Sequence, residues 1–401
     1  MQVTAPDSRQ SPIPDIPYIR RRDGSEQRAT FFELFFDLVY VFAVTQLSHH
    51  LLGQLTWTGA AQTAFMLVAV YWAWNYTTWM TNWFDPDTVP VRLILVFVML
   101  ASLLMSVAIP SGFGSEALLF ASSYAALQVG RNAFVVVVTP PGDFNRNFKQ
   151  ILAWSVLSAP FWVAGGLASG AARWPLWLAA LGLDLAAPLV MYWVPRVGST
   201  PMSQWQIHGP HFAERFQLFV IIALGESIVL AGVTASGTGL SGAHLVALGL
   251  CFLISTALWW LYFDDVAASV AERIAGAAPT QAGQIGRDVY TYLHLPIVAG
   301  IVLAAVGDEL VIAHPRSELH TAGALVTLGG PALYLAGVTA SAARIGHTTS
   351  SARIAVMVVL AALVPVGART TGLVAAAIVV ALLAILVVVE ERRPKAISVR
   401  A

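Results

Sequence analysis

Glu226 stands in "ALGESIVL" and Asp184 in "LGLDLAAPLV", each an acid within a long oily stretch. A charged side chain at the centre of a bilayer costs at least about 2.5–3.5 kcal/mol on insertion scales, so these acids are expected to face protein or water and to line a pathway. Pro188, four residues after Asp184, would remove the hydrogen bond to the Asp184 carbonyl and kink the helix. Interrupted helices of this kind bind ions in transporters. Gly225 beside Glu226 lets a second backbone approach closely. The alternative for Glu226 is a neutral carboxyl that hydrogen-bonds a neighbouring helix and only holds the bundle together.

A second set of charges lies nearer the helix ends. Glu33 and Asp37, in "FFELFFDLVY", are four residues apart and so share one helix face. "TFFE" is a capping box, which accounts for Glu33. Asp37 is one turn deeper, about 6 Å along the axis, and capping does not explain it. Arg131, in "LQVGRNAF", is expected to neutralise Asp37 or Asp184 or to bind an anion, forming a cytoplasmic vestibule with Glu33 and Asp37. A histidine titrates near neutrality, so His294, in "YLHLPIV", could relay protons, or be held in one tautomer by a hydrogen bond. Arg92 and Arg287 are the natural partners of Asp85 and Asp264, and with Glu214 they predict a cytoplasmic salt-bridge ring. His208, His211 and Glu214 in "HGPHFAE" have a metal-like spacing, but Gly209-Pro210 argues against the continuous helix it would need, so no metal or other cofactor is expected. The aromatic residues of "YWAWNYTTWMTNW" cover most of a helix circumference and read as packing and interfacial belt.

The elements that must carry these residues are membrane helices. Of 401 residues 57% are hydrophobic and 11% charged, with a mean hydropathy of +0.70, too little charge for a soluble surface of this size. Runs of the roughly 20 apolar residues that span a bilayer occur near 32–52, 61–81, 92–110, 115–138, 150–168 and 174–193, then near 214–233, 243–263, 288–307, 319–341, 353–367 and 371–390. The expected architecture is an all-α polytopic membrane protein of about 12 spans. With the N-terminus inside, only Arg173, Arg316 and Arg369 fall in outer loops, leaving 19 of the 22 Lys and Arg inside. The positive-inside rule then places both termini in the cytoplasm. The polar, Pro-rich residues 1–30 predict a disordered cytoplasmic tail and not a cleavable signal peptide, and 391–401 a second tail.

The two halves of the chain resemble each other. "FELFFDLVYVFAVTQLS" aligns with "AERFQLFVIIALGESIV", pairing Glu33 with Glu214 and Thr45-Gln46 with Glu226-Ser227. "TNWFDPD" and "WWLYFDD" then follow at matching distances. Two six-helix repeats, 31–193 and 214–390 joined by a cytoplasmic linker 194–213, must be parallel because each has an even number of spans. Binding near a repeat interface is common in such proteins. "FFELFFDLVYVFAVTQLSHHL", "YWAWNYTTWMTNWFDPD", "HFAERFQLFVIIALGESI" and "WWLYFD" together resemble the bacterial low temperature requirement A (LtrA) family, over about residues 25–390. The resemblance implies an integral membrane protein of a bacterial inner membrane and names no substrate.

Several function classes are excluded or disfavoured. Equal numbers of acidic and basic residues, 22 each, and the lack of recognition motifs give no case for nucleic acid. One cysteine, Cys251, rules out a disulfide framework within the chain. Nucleophile elbows, Walker lysines and dinucleotide fingerprints are missing, and Lys149 and Lys395 lie outside the spans, which excludes a retinal Schiff base. The leading expectation is a secondary transporter or ion/proton-coupled permeation protein acting on a small ion or solute, with Glu226 and Asp184 as coupling acids. A non-transporting sensor or scaffold is the alternative, and a lipid-acting intramembrane enzyme a third.

Overall fold

The computed structural model describes residues 16–20, 27–237, 239, 241–348 and 350–392. Most of the tail expected over 1–30, and residues 393–401 of the second tail, lie outside the described residues. Within them the protein is all-helical, with isolated bridges only. In the first half the helices are α1 (Phe31–Gly53), α2 (Trp57–Trp83), α3 (Val89–Ala108), α4 (Ala117–Val138), α5 (Asp143–Leu167) and α6 (Arg173–Leu189). The second half has α7 (Gly209–Gly237), α8 (Gly242–Phe263), the short α9 (Val266–Ala275) and α10 (Pro279–Ile285), then α11 (His294–Ala313), α12 (His320–Arg344), α13 (Ser351–Ala362), α14 (Val364–Gly367) and α15 (Gly372–Glu391). A π-helical stretch, Gly286–Leu293, joins α10 to α11.

Among the described residues, eight of these segments are long and apolar enough to cross a membrane. α2 is not one of them, and its surroundings explain why. With 18 of its 27 residues buried, it is enclosed by protein and need not be oily. Its rings, including Tyr71, Trp72, Trp74 and Trp83, are buried in the core, so they pack and do not form the expected belt. By contrast, α3 exposes Leu93, Val96, Phe97, Leu100, Leu103, Leu104 and Val107. That spacing makes a continuous apolar stripe suited to lipid.

Several boundaries differ from expectation. The stretch 353–367 is broken after Ala362, because Pro365 has no N–H and its ring clashes with the carbonyl four residues back. α6 stops at Leu189, one residue after Pro188, and Met191 and Tyr192 turn the chain with φ near 53° and 52°. Pro188 thus precedes the helix end and does not kink a longer helix. α11 runs on to Ala313 and so carries Asp308 and Glu309. α7 begins at Gly209, with Pro210 in the first turn, where the missing N–H is not needed. The helix that "HGPHFAE" seemed to forbid therefore exists from Gly209 onward.

α11 packs closely on α12 through glycine. A Cβ on Gly330 would lie 2.6 Å from the Ala304 backbone nitrogen, and one on Gly300 would lie 2.5 Å from that of Tyr334. Gly330→Val should therefore cost about 1–3 kcal/mol or more, since backbone cannot move aside as a side chain can. Gly329→Val, where a Cβ meets nothing within 4 Å, is the control. Equal thermal stability of the two variants in detergent would contradict this packing.

Candidate functional site

Among the described residues, three buried polar centres hold the acids Glu33, Asp37, Asp184 and Glu226 singled out from the sequence. At the end where the chain enters, α1 begins with the expected capping box: Thr30 accepts from the Glu33 N–H, and Glu33 accepts from the Thr30 N–H at 2.9 Å. Glu33 also accepts from Arg20 at 2.8 Å and from His211 Nε2 at 3.1 Å. One turn deeper, Arg215 donates both terminal nitrogens to Asp37, each at 2.7 Å, and Trp74 Nε1 donates to the same carboxylate at 2.9 Å. Asn82 fixes the His211 ring by donating to Nδ1 at 3.1 Å. Two acids four residues apart on α1 thus meet His211 and Arg215, four residues apart on α7. Arg215 is 0% exposed, and the other members are also buried. Two arginines face two carboxylates, so the charges balance. This arrangement clasps the two halves together.

The second centre surrounds Asp184. Tyr124 and Trp162 both donate to its Oδ2 at 2.9 Å. Gln128 donates to the Tyr124 hydroxyl at 2.9 Å and accepts from Arg131. Arg131 also donates to Thr77 at 3.1 Å and lies 5.3 Å from the centre of the Tyr76 ring. Arg131 therefore bonds directly to neither Asp37 nor Asp184. The expected vestibule of Glu33, Asp37 and Arg131 does not assemble, because Arg215 occupies Asp37 and Arg131 is held by α2 and by its own helix. Asp184, 8% exposed, lines a small cavity with Trp72, Tyr76 and Tyr192. Tyr76, Ile151 and Tyr192 also line a neighbouring crevice that is partly open to solvent. Its walls include Trp79, Trp83, Trp205 and Arg287.

The third centre is Glu226, which accepts from Thr45 at 2.6 Å through Oε2 and leaves Oε1 without a partner. Thr45 and Glu226 hold equivalent positions in the two aligned segments. His49 and Glu309 are within electrostatic reach of Glu226, and Glu309 is half-buried. His294 belongs to none of these centres. Tyr262 donates to its Nε2 at 2.7 Å, and its Nδ1 donates to the Val289 carbonyl at 3.0 Å. Both ring nitrogens are engaged, as the tautomer-holding alternative requires. The Val289 carbonyl comes from the π-helical turn.

The salt-bridge ring is not formed as expected. Arg92 pairs with Asp87 at 2.9 Å, while Asp85 caps its own turn by accepting from the Asp87 N–H. Arg287 pairs with Asp288 at 2.7 Å, and Arg344 takes the other oxygen of Asp288. Glu214 accepts from the Ala29 N–H at 2.8 Å. Adjacent residues reach one another with less ordering than distant ones, which favours the local pairs. Among the described residues, no three His, Cys, Asp or Glu side chains gather as a metal site.

The family model for the bacterial low temperature requirement A protein (LtrA) matches residues 28–388. The chain belongs to the LtrA family. A curated protein of Rhizobium meliloti (strain 1021), described as uncharacterized, is 39% identical over 323 residues, covering 80% of this chain and 78% of the relative. No solved structure matches. Within this LtrA protein, sequence reasoning missed the roles of Arg215, His211, Arg20 and Glu309, having weighed His211 only as a metal ligand. The first two carried a usable signal, since the four-residue spacing of His211 and Arg215 copies that of Glu33 and Asp37.

Proposed function

We propose that this LtrA protein is a secondary transporter of the bacterial inner membrane, moving a small solute or ion coupled to protons, with Asp184 and Glu226 as the protonatable groups. The observation that carries the reading is the placement of Asp184. It lines a small cavity that shares Tyr76, Ile151 and Tyr192 with a partly open crevice, so a buried acid lies beside space of water-sized dimensions. A purely structural carboxyl would have no use for that adjacency.

The reading includes about twelve spans in two parallel six-helix units, with both termini cytoplasmic. Helical segments lie at all twelve expected stretches. The order of neighbours supports the repeat: α1 packs on α2 and α3, α3 on α4 and α4 on α5, while α7 packs on α8 and α11, α11 on α12 and α12 on α13. The Thr45–Glu226 contact between aligned positions fits a pseudo-two-fold axis between α1 and α7. On this topology the crevice opens to the cytoplasm and Glu226 lies toward the outer half.

Reconstitution into liposomes carrying pH- and potential-sensitive dyes tests the function, with cations, anions and amino acids screened in turn. A solute gradient that moves protons is the expected result. Proton and charge movement equal to empty liposomes for every class would favour the scaffold reading. Single cysteines at 111–115 and 235–241, in a Cys251→Ala background, should label from outside, and those at 200 and 280 only after permeabilisation.

A further inference from the structure

We infer that the open crevice is a binding site for a small organic monoanion with a flat apolar body, such as an aromatic monocarboxylate. The inference rests on the transport reading for its role, but the site itself stands on the crevice's own chemistry.

Most polar groups there are paired with one another or with backbone, but two buried donors are unspent, against one unpaired acceptor, Asn147 Oδ1. Trp205 is 4% exposed and Asn75 is 0% exposed, yet Trp205 Nε1 and Asn75 Nδ2 have no hydrogen-bond partner. Arg287 commits its Nε to Asp288, leaving its terminal nitrogens available. A buried donor without an acceptor costs about 1–3 kcal/mol, and a carboxylate, an acceptor at both oxygens, would relieve several at once. No Asp or Glu lines the crevice, and nearby Asp288 is shared between two arginines. The local field therefore disfavours a cation.

The remaining walls choose the body of the ligand. Trp79, Trp83, Tyr76, Tyr192 and Phe148 present rings, and Trp205 lies across Trp79 at 5.8 Å and 82°. Aromatic rings favour offset or edge-to-face partners, so these walls suit a flat ring. An inorganic anion would forfeit its hydration against these apolar walls, whereas an aromatic carboxylate buries its ring and presents its charge to Arg287, Trp205 and Asn75. The adjoining cavity holds Asp184, so one proton on that carboxyl offsets the one negative charge of the ligand.

The test uses the full-length protein in lipid nanodiscs, with benzoate as the probe and benzylamine and benzyl alcohol as matched cation and neutral controls. Tryptophan emission and thermal stability are the readouts. Benzoate should bind saturably and raise the melting temperature, with both controls weaker by about tenfold or more, as loss of a charge-assisted hydrogen bond implies. Arg287→Gln should weaken benzoate about tenfold and leave benzyl alcohol unchanged. Trp205→Phe, which keeps a ring and removes the N–H, should weaken it by a smaller factor at unchanged fold. Benzylamine binding as tightly as benzoate, benzoate affinity unchanged in both variants, or no saturable benzoate binding at millimolar concentration would each overturn the site. Binding as expected, with proton movement no greater than in empty liposomes for benzoate and for every other solute class, overturns the transport reading and leaves the site standing.

Discussion

Arg215→Met should be among the most destabilising single changes in this protein, lowering stability by about 3–5 kcal/mol, the usual result of stranding one buried charge. The removed guanidinium supplies both hydrogen bonds of the fork to Asp37 and lies 3.8 Å from Glu33. Without it, Trp74 alone would donate to the Asp37 carboxylate, in a site with almost no access to water. The double variant Asp37→Leu with Arg215→Met should recover most of the loss, because replacing both members of a buried pair by apolar groups is often neutral. The measurement is thermal and denaturant stability in detergent across the four members of the cycle. A single-variant loss below about 1 kcal/mol, the range of solvent-exposed pairs, would show that water shares this centre and that it is not a clasp. In that event Asp37 would return as a candidate for the pathway.

Asp184→Asn and Glu226→Gln should each reduce proton-coupled flux to the level of empty liposomes while leaving the fold intact. Asparagine keeps an oxygen to accept from Tyr124 and Trp162, and glutamine keeps one to accept from Thr45, so the bonds that position each residue survive. What neither amide can do is gain and lose a proton. Glu226→Leu separates the two roles further. The Thr45 hydroxyl also has the Val41 carbonyl at 3.1 Å, so loss of Glu226 does not orphan it. The leucine variant should then cost no more than about 1 kcal/mol, the net worth of one hydrogen bond. A packing role would require a larger loss. Wild-type flux from Asp184→Asn and Glu226→Gln alike would remove both as coupling acids. Full flux from one alone assigns coupling to the other.

The sequence by itself determined what depends on composition and on near neighbours along the chain. Low charge and long apolar runs dictate a membrane bundle, the Thr30–Glu33 spacing dictates a capping box, and the long motifs identify the LtrA family. Four-residue spacing likewise puts Glu33 and Asp37 on one face, and His211 and Arg215 on another. Which faces meet was decided only in three dimensions. Arg131 has the same charge as Arg215 and lies in an equally oily segment, yet Arg215 takes Asp37, and Arg131 turns to Thr77, Gln128 and Tyr76. The choice depends on the rotation and relative depth of α1, α4 and α7, which are set by packing between segments distant in the chain and leave no local mark. The crevice has the same origin. Trp205 from the linker, Asn75 from α2 and Arg287 from the π-helical turn share a wall only because that turn and the linker fold back against α2. Periodicity within a helix reports which residues share a face, and tertiary packing alone decides what that face will touch.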